Sequence, residues 1–233
     1  MSVDAVAGHE LADRTWPDLG RPILLVPVGS CEQHGPHLPI GTDTLIATTV
    51  ARAAADRRDD CLVAPALTIT ASGEHQGFPG TLSIGTDVLV SVLIELARSA
   101  EWADGVAFVN GHGGNVGAMQ RASVTFEQEQ RRVMMWWPRP PEHRTDLVGD
   151  LHAGRIETSL LLALAPHLVD EHQAAAGPSP TPPVADLVRF GVQPYSSNGV
   201  LGDPTGATAE EGLSLLAHLV DDLSALLTHT TGR

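Results

Sequence analysis

Cysteine is nearly absent. Cys31 and Cys61 are the only two among 233 residues, they lack CxxC spacing, and so neither a disulfide framework nor a four-cysteine zinc site can be assembled. Both are read as ordinary thiols. Basic residues are scarce too: 14 Lys and Arg face 28 Asp and Glu, and the formal charge of -14 argues against nucleic acid as a partner. No apolar run approaches the roughly 20 residues that a bilayer span requires. The opening "MSVDAVAGHELADRTWPDLGRPILLVPVG" sets acids ahead of any apolar run and has no basic start of the kind a secretory signal carries. The expectation is a cytoplasmic protein without a membrane partner. HExxH, GxSxG and GxxxxGK[ST] are also missing, and "GHGGNVG" has its last glycine one residue too late for GxGxxG.

What is there is ordinary for a folded chain, with 42% hydrophobic and 18% charged residues. The length suits one domain over residues 1–233. Apolar runs of strand length, "PILLVPVG" (22–29), "CLVAPAL" (61–67), "GVAFVNG" (105–111) and "RRVMMWW" (131–137), alternate with helical periodicity. That alternation predicts an α/β fold of three layers, α/β/α, around a mainly parallel sheet.

The spacing predicts a helix after Thr42 and Asp43 whose buried face carries Leu45, Ile46, Thr49, Val50, Ala53 and Ala54. Further helices are expected from Thr86 or Asp87 to about Trp102, from after Gly113 and Gly114 to about Gln130, and over about 155–165. A last one starts at "TAEE", where Thr208 and Glu211 fit a capping box. Two Pro-rich connectors (138–144 and 177–191) and the Gly-rich "SSNGVLGDPTGAT" (196–208) are long enough to be functional or interface-forming.

Ligands of open α/β sheets collect beyond the carboxyl ends of the strands, and the polar clusters fall there. Glu32 and His34 follow the first strand two residues apart, so an extended segment would project both to one side. Asp43 arrives at the next helix start. Together they form an O/N/O set of the kind that binds zinc, iron or manganese. "VNGHGGN" sets His112 among glycines at the end of the third strand, and "GDLHAGRIETS" supplies His152 and Glu157 around a helix start. Two histidines and three carboxylates, with His152 in reserve, exceed what one catalytic zinc uses and suit two metals sharing a carboxylate.

Each group also has a plainer reading. His112 could be a turn residue, Asp43 an N-cap, His152 and Glu157 a capping pair, and Glu32 with His34 a local hydrogen bond. "ASGEHQGFPGT" (71–81), with Glu74 and His75, is either a pocket wall or a rigid surface turn. The common placement of these groups after strands and at helix starts favours metal.

In these motifs the chain resembles the creatininase family of metal-dependent amidohydrolases: "GSCEQHGPHLPIGTD", "SGEHQGFPGT", "VNGHGGN" and "HAGRIETS" occur in that family's order over nearly the whole length. The resemblance implies two divalent ions per subunit, zinc and/or ferrous iron with manganese as a further option. Asp43 would bridge them, and Glu32, His34, His112 and Glu157 would be the other ligands. It implies His152 as the proton carrier, with Glu157 beside it in the catalytic set. Glu74, His75, Gly113 and Gly114 would meet the substrate. One departure stands out: creatininase itself has a glutamate ligand where this chain has Gly114, which favours Glu157 as the substitute and argues against creatinine as substrate.

Within the family, "LLVPVGSCEQHGPHLP" with the late "GVLGDPTGATAEEG" is similar to a branch that trims a ribosomally made precursor peptide. That implies a peptide substrate, cut near its C-terminus after the terminal Tyr has been decarboxylated, with release of the modified Val-Tyr dipeptide. Arg155 and Arg189 are candidate substrate contacts, each with a plainer reading as a solvated charge. A deformylase or a cyclic-amide hydrolase of a small metabolite is the alternative within the family, and a metal-binding scaffold without catalysis is the alternative outside it. The family commonly forms hexamers, so a homo-oligomer is expected.

Overall fold

The computed structural model describes residues 8–229; residues 1–7, part of the N-terminal stretch read above, and 230–233 lie outside it. Four strands, β1 (Ile23–Val28), β2 (Cys61–Val63), β3 (Gly105–Asn110) and β4 (Val133–Trp136), form one sheet in the order β2-β1-β3-β4. Every pairing is parallel, as an α/β chain requires, with Ile23 opposite both Cys61 and Gly105 and Val28 opposite Asn110. β2 is shorter than the run 61–67 suggested, because Pro65 interrupts the ladder.

Side chains on β1 alternate between two cores. Ile23 and Leu25 pack with α1 (Thr42–Ala55), α4 (Arg155–Leu164) and α6 (Ala209–His229), while Leu24, Val26 and Val28 pack with α2 (Thr86–Ser99) and α3 (Val116–Gln128). The sheet is therefore covered on both faces, and its central strands read as unbroken apolar runs. Among the described residues no helix is long and apolar enough to cross a membrane.

Two local expectations need correction. The buried face of α1 carries Ile46, Ala47, Val50, Ala51, Ala54 and Ala55, so Leu45, Thr49 and Ala53 sit at its margin. Small alanines let that stripe lie flush on the sheet, which hydrophobicity alone does not reveal. The 177–191 connector also contains a helix, α5 (Val184–Phe190), which leaves Val184 and Val188 exposed and buries Leu187.

β1 and β3 end at the same edge of the sheet, and glycines there bring the start of α1 close. A Cβ at Gly29 would overlap Thr44, and one at Gly111 would overlap the Asp43 carbonyl. Asp43 thereby reaches the strand ends.

Candidate metal centre

Asp43 sits in the first turn of α1, whose N-cap is Gly41, so it is not the capping residue. Its buried carboxylate accepts from Ser30 Oγ at 2.6 Å, and it has His34 Nε2 3.0 Å from Oδ1 and His112 Nδ1 3.3 Å from Oδ2. Burial alone would raise its pKa, but the His34 and His112 rings hold it well below the usual carboxylate range.

His34 donates Nδ1–H to the Glu32 carbonyl at 3.1 Å, which turns Nε2 toward Asp43 and toward Glu157 Oε2 at 3.8 Å. Burial acts to lower its pKa, and the surrounding carboxylates, Asp43 first, outweigh burial and push it up to about 10. A ring nitrogen that holds a proton this tightly between carboxylates is placed where a cation would replace that proton.

Glu32 is fully buried. Oε1 lies 3.5 Å from both His75 Nε2 and His152 Nδ1, and Oε2 lies 3.1 Å from His112 Nε2, yet neither oxygen has a partner at hydrogen-bond geometry. Leaving a buried carboxylate unsatisfied costs about 1–3 kcal/mol or more. That orphaned pair, aimed among imidazoles, fits a bound cation better than an empty polar cluster. Three groupings have the ligand spacing for one: Glu32, Asp43 and His112; His34, His152 and Glu157; and Glu32, His75 and His152. Burial works against the charge of His112, but Glu32, Asp43 and Glu74 around it raise its pKa well above 6.5.

Glu157 lies in the first turn of α4 and accepts the Ala153 N–H at 2.6 Å. Ala153 is left-handed at φ 51°, a conformation costing about 1–3 kcal/mol in a non-glycine residue. Although 19% of the Glu157 side chain meets solvent, burial pushes its pKa up to about 8. His152 beside it is held by a two-residue bridge to Leu201 in the Gly-rich stretch. Its ring packs 4.3 Å from those of both His34 and His75. Burial, then the charge of His34, keeps His152 well below 6.5 and so neutral. His75 is lowered as well, again mainly by burial.

All ten candidate positions meet at this one edge of the sheet, but not as sequence spacing alone would arrange them. Glu32 faces His75, His112 and His152, whereas His34 faces Asp43 and Glu157. Gly113 has open space around it and lines the cleft. Gly114 is crowded by Glu74, whose Oε1 lies 3.4 Å from His112 Nε2. Arg155 pairs with Glu211 at 2.8 Å, and Arg189 is an exposed side chain over the Phe190 ring, so neither lines the cleft at the centre. Reasoning from sequence missed Gln33, Ser30, Asn110 and Asn115. Asn115 Nδ2 donates to the Gly29 carbonyl and to Asn110 Oδ1, locking the ends of β1 and β3 together. The only signal for Gln33 was its place between two ligand candidates.

Two clefts open from the centre and share His112, Gly113, Leu151, His152 and Glu157. One, of 280 Å³, runs between Trp137, Pro138, Pro140, Leu215 and Leu219; the other, of 170 Å³, runs between His75 and the apolar face of α5.

The family model "Creatininase: Creatinine amidohydrolase" matches residues 12–227. The chain belongs to the creatininase family. It is 48% identical over 213 residues to the mycofactocin precursor peptide peptidase of Mycobacterium tuberculosis (strain CDC 1551 / Oshkosh), a match covering 86% of this chain and 82% of that protein. Among solved structures, it superposes on creatininase in a form described as Mn with a TM-score of 0.81 at 26% identity, covering 97% of this chain and 100% of the other. A mutant creatininase described as Zn-Zn type gives 0.80 at 25% identity, covering 97% and 99%. The creatininase fold and the α/β reading of the sequence therefore agree.

Proposed function

We propose that the chain is a metal-dependent peptidase that hydrolyses the mycofactocin precursor peptide near its C-terminus and releases the modified Val-Tyr dipeptide. The likeness to peptidases of that name supports the substrate. The observation that carries the reading is the paired cleft: two clefts that share His112, Gly113, Leu151, His152 and Glu157 at the ionisable centre, each with apolar walls beyond it. A chain cut internally needs room on both sides of the scissile bond, which a small cyclic amide does not.

Glu32, His34, Asp43, His112 and Glu157 would hold the ions, with Asp43 shared because its two oxygens face different histidines. Divalent ions there would lower the pKa of water toward neutrality and polarise the scissile carbonyl. Zinc or ferrous iron suits this mixed carboxylate and imidazole set, and manganese is compatible with it. The rest falls to the chain's own groups. His152, neutral and buried, takes the proton lost by the attacking water and gives it to the amide nitrogen as the C–N bond breaks. Apolar walls exclude competing water and seat an uncharged peptide end. A cytoplasmic homohexamer is part of the same reading.

The test is mass spectrometry of the decarboxylated precursor peptide after incubation with metal-loaded protein, beside a chelated control, a creatinine sample and the Asp43→Ala variant. Metal-dependent loss of the dipeptide, abolished in folded Asp43→Ala, is the expected result. An intact peptide overturns the substrate, and turnover of formamides or cyclic amides would replace it. If no amide is cut while ions bind, the protein is a scaffold.

A further inference from the structure

Gln33 lies between two ligand candidates, and its hydrogen bonds are fully determined. The side-chain oxygen accepts from the Gly35 N–H at 2.8 Å, so the amide group cannot be reversed without setting two donors against each other. Its nitrogen has two hydrogens and three neighbours: the Gly199 carbonyl at 3.0 Å, His75 Nδ1 at 2.8 Å and His152 Nε2 at 3.1 Å.

The main chain resolves the choice. The Gln33 carbonyl only accepts, and it lies 2.7 Å from His152 Nε2, so that nitrogen carries a proton and cannot accept another. The two amide hydrogens go to the Gly199 carbonyl and to His75 Nδ1. His75 is then protonated on Nε2, which points at Glu32 Oε1 3.5 Å away, while His152 turns its bare Nδ1 to the same oxygen at 3.5 Å. Both rings hold the same tautomer but present opposite ends to the centre.

We propose that Gln33 is the positioning residue that sorts these two imidazoles, fixing His152 Nδ1 as a proton acceptor and His75 Nε2–H as a donor toward the reacting group. The proposal deepens the peptidase reading and rests on it for the reaction served. Position 199 supports the arrangement from outside: Gly199 is left-handed at φ 79°, and a Cβ there would overlap Gln33 Oε1. The late Gly-rich stretch therefore closes over the glutamine and also, through Leu201, holds His152. The donor role suits His75 to the substrate carbonyl, whose oxygen gains negative charge as water attacks.

Histidine-ring ¹⁵N spectra of the full chain, zinc-loaded and metal-free, test the assignment without any variant. Wild type is expected to show His75 and His152 both protonated on Nε2. In Gln33→Glu the carboxylate has no hydrogen to give, so His75 should move its proton to Nδ1 while His152, held by the main chain, keeps its own. That variant should lose about 10²-fold in kcat on the precursor peptide, with KM and bound zinc unchanged. A wild-type ring protonated on Nδ1 overturns the proposal, as does a Gln33→Glu protein with wild-type kcat. If wild type leaves the peptide intact, the substrate reading fails, and the ring spectra still decide the role of Gln33.

Discussion

The carboxylate of Glu74 occupies the space into which a side chain at Gly114 would grow. An ideal Cβ at that position overlaps Glu74 Oε1, and it also presses against the Ala71 carbonyl at 2.6 Å, which is backbone and cannot swing away. Glycine at 114 is what lets Glu74 lie against His112.

Gly114→Ala should therefore be destabilising even though alanine is the smallest possible addition. Overpacking of this kind costs about 1–3 kcal/mol, visible as a lower Tm. Displaced from His112, Glu74 should also weaken ion binding in a zinc titration. An unchanged Tm together with unchanged zinc affinity would show that the site has more room than its geometry implies.

The metal-free protein should lose stability as pH rises above neutral. Folded His34 is pushed up to about 10 and Glu157 to about 8, both above their ordinary values of 6.5 and 4.5. A raised pKa contributes stability that is complete below the unfolded value and lost as pH climbs through the folded one. Thermal melts of chelated protein should thus fall through His34 between about pH 6.5 and 10 and through Glu157 between about pH 4.5 and 8, and zinc bound in place of those protons would flatten the slope. His152 and His75 are held low, so their contribution runs the other way and is lost as pH drops below their ordinary 6.5. A melting temperature that is flat or rising across the alkaline range would contradict the protonated centre.

Glu211 should matter more than a capping residue does. Its N–H donates to the Thr208 hydroxyl at 3.1 Å, which is half of the capping box expected from "TAEE". The reciprocal half is absent because the carboxylate turns away to Arg144 at 2.5 Å, Arg155 at 2.8 Å and Ser159 at 2.8 Å. Those bonds tie α6 to the start of α4, which carries Glu157. Removing the carboxylate takes from Arg155 its ion pair and from Ser159 its acceptor, while Arg144 keeps Asp146, so Glu211→Ala should cost roughly 1–3 kcal/mol and depress activity by loosening Glu157. Equal stability and activity in the variant would reduce the network to surface decoration.

Much of this is legible in the sequence, for identifiable reasons. Strand length, apolar continuity and helical spacing report burial directly, so β1, β3, α1 to α4 and α6 could be read from the chain within a few residues. The end of β2 and the whole of α5 could not: a proline cut the first short, and the second spans only seven residues inside a Pro-rich connector, too few for the Val184, Leu187 and Val188 spacing to stand out. Ligand candidates stood out because Glu, His and Asp gathered after strand ends are costly unless used.

Sequence by itself determined most of the elements, the family and the kinds of atoms available to a cation, since residue type dictates donor chemistry and periodicity dictates burial. Tertiary structure alone decided how those atoms divide. Asp43 faces two histidines because Gly29 and Gly111 admit the start of α1, and Glu74 reaches His112 because Gly114 has no side chain. Gln33 binds groups 42 and 166 positions away, and hydrogen bonds across such separations exist only once the chain has folded.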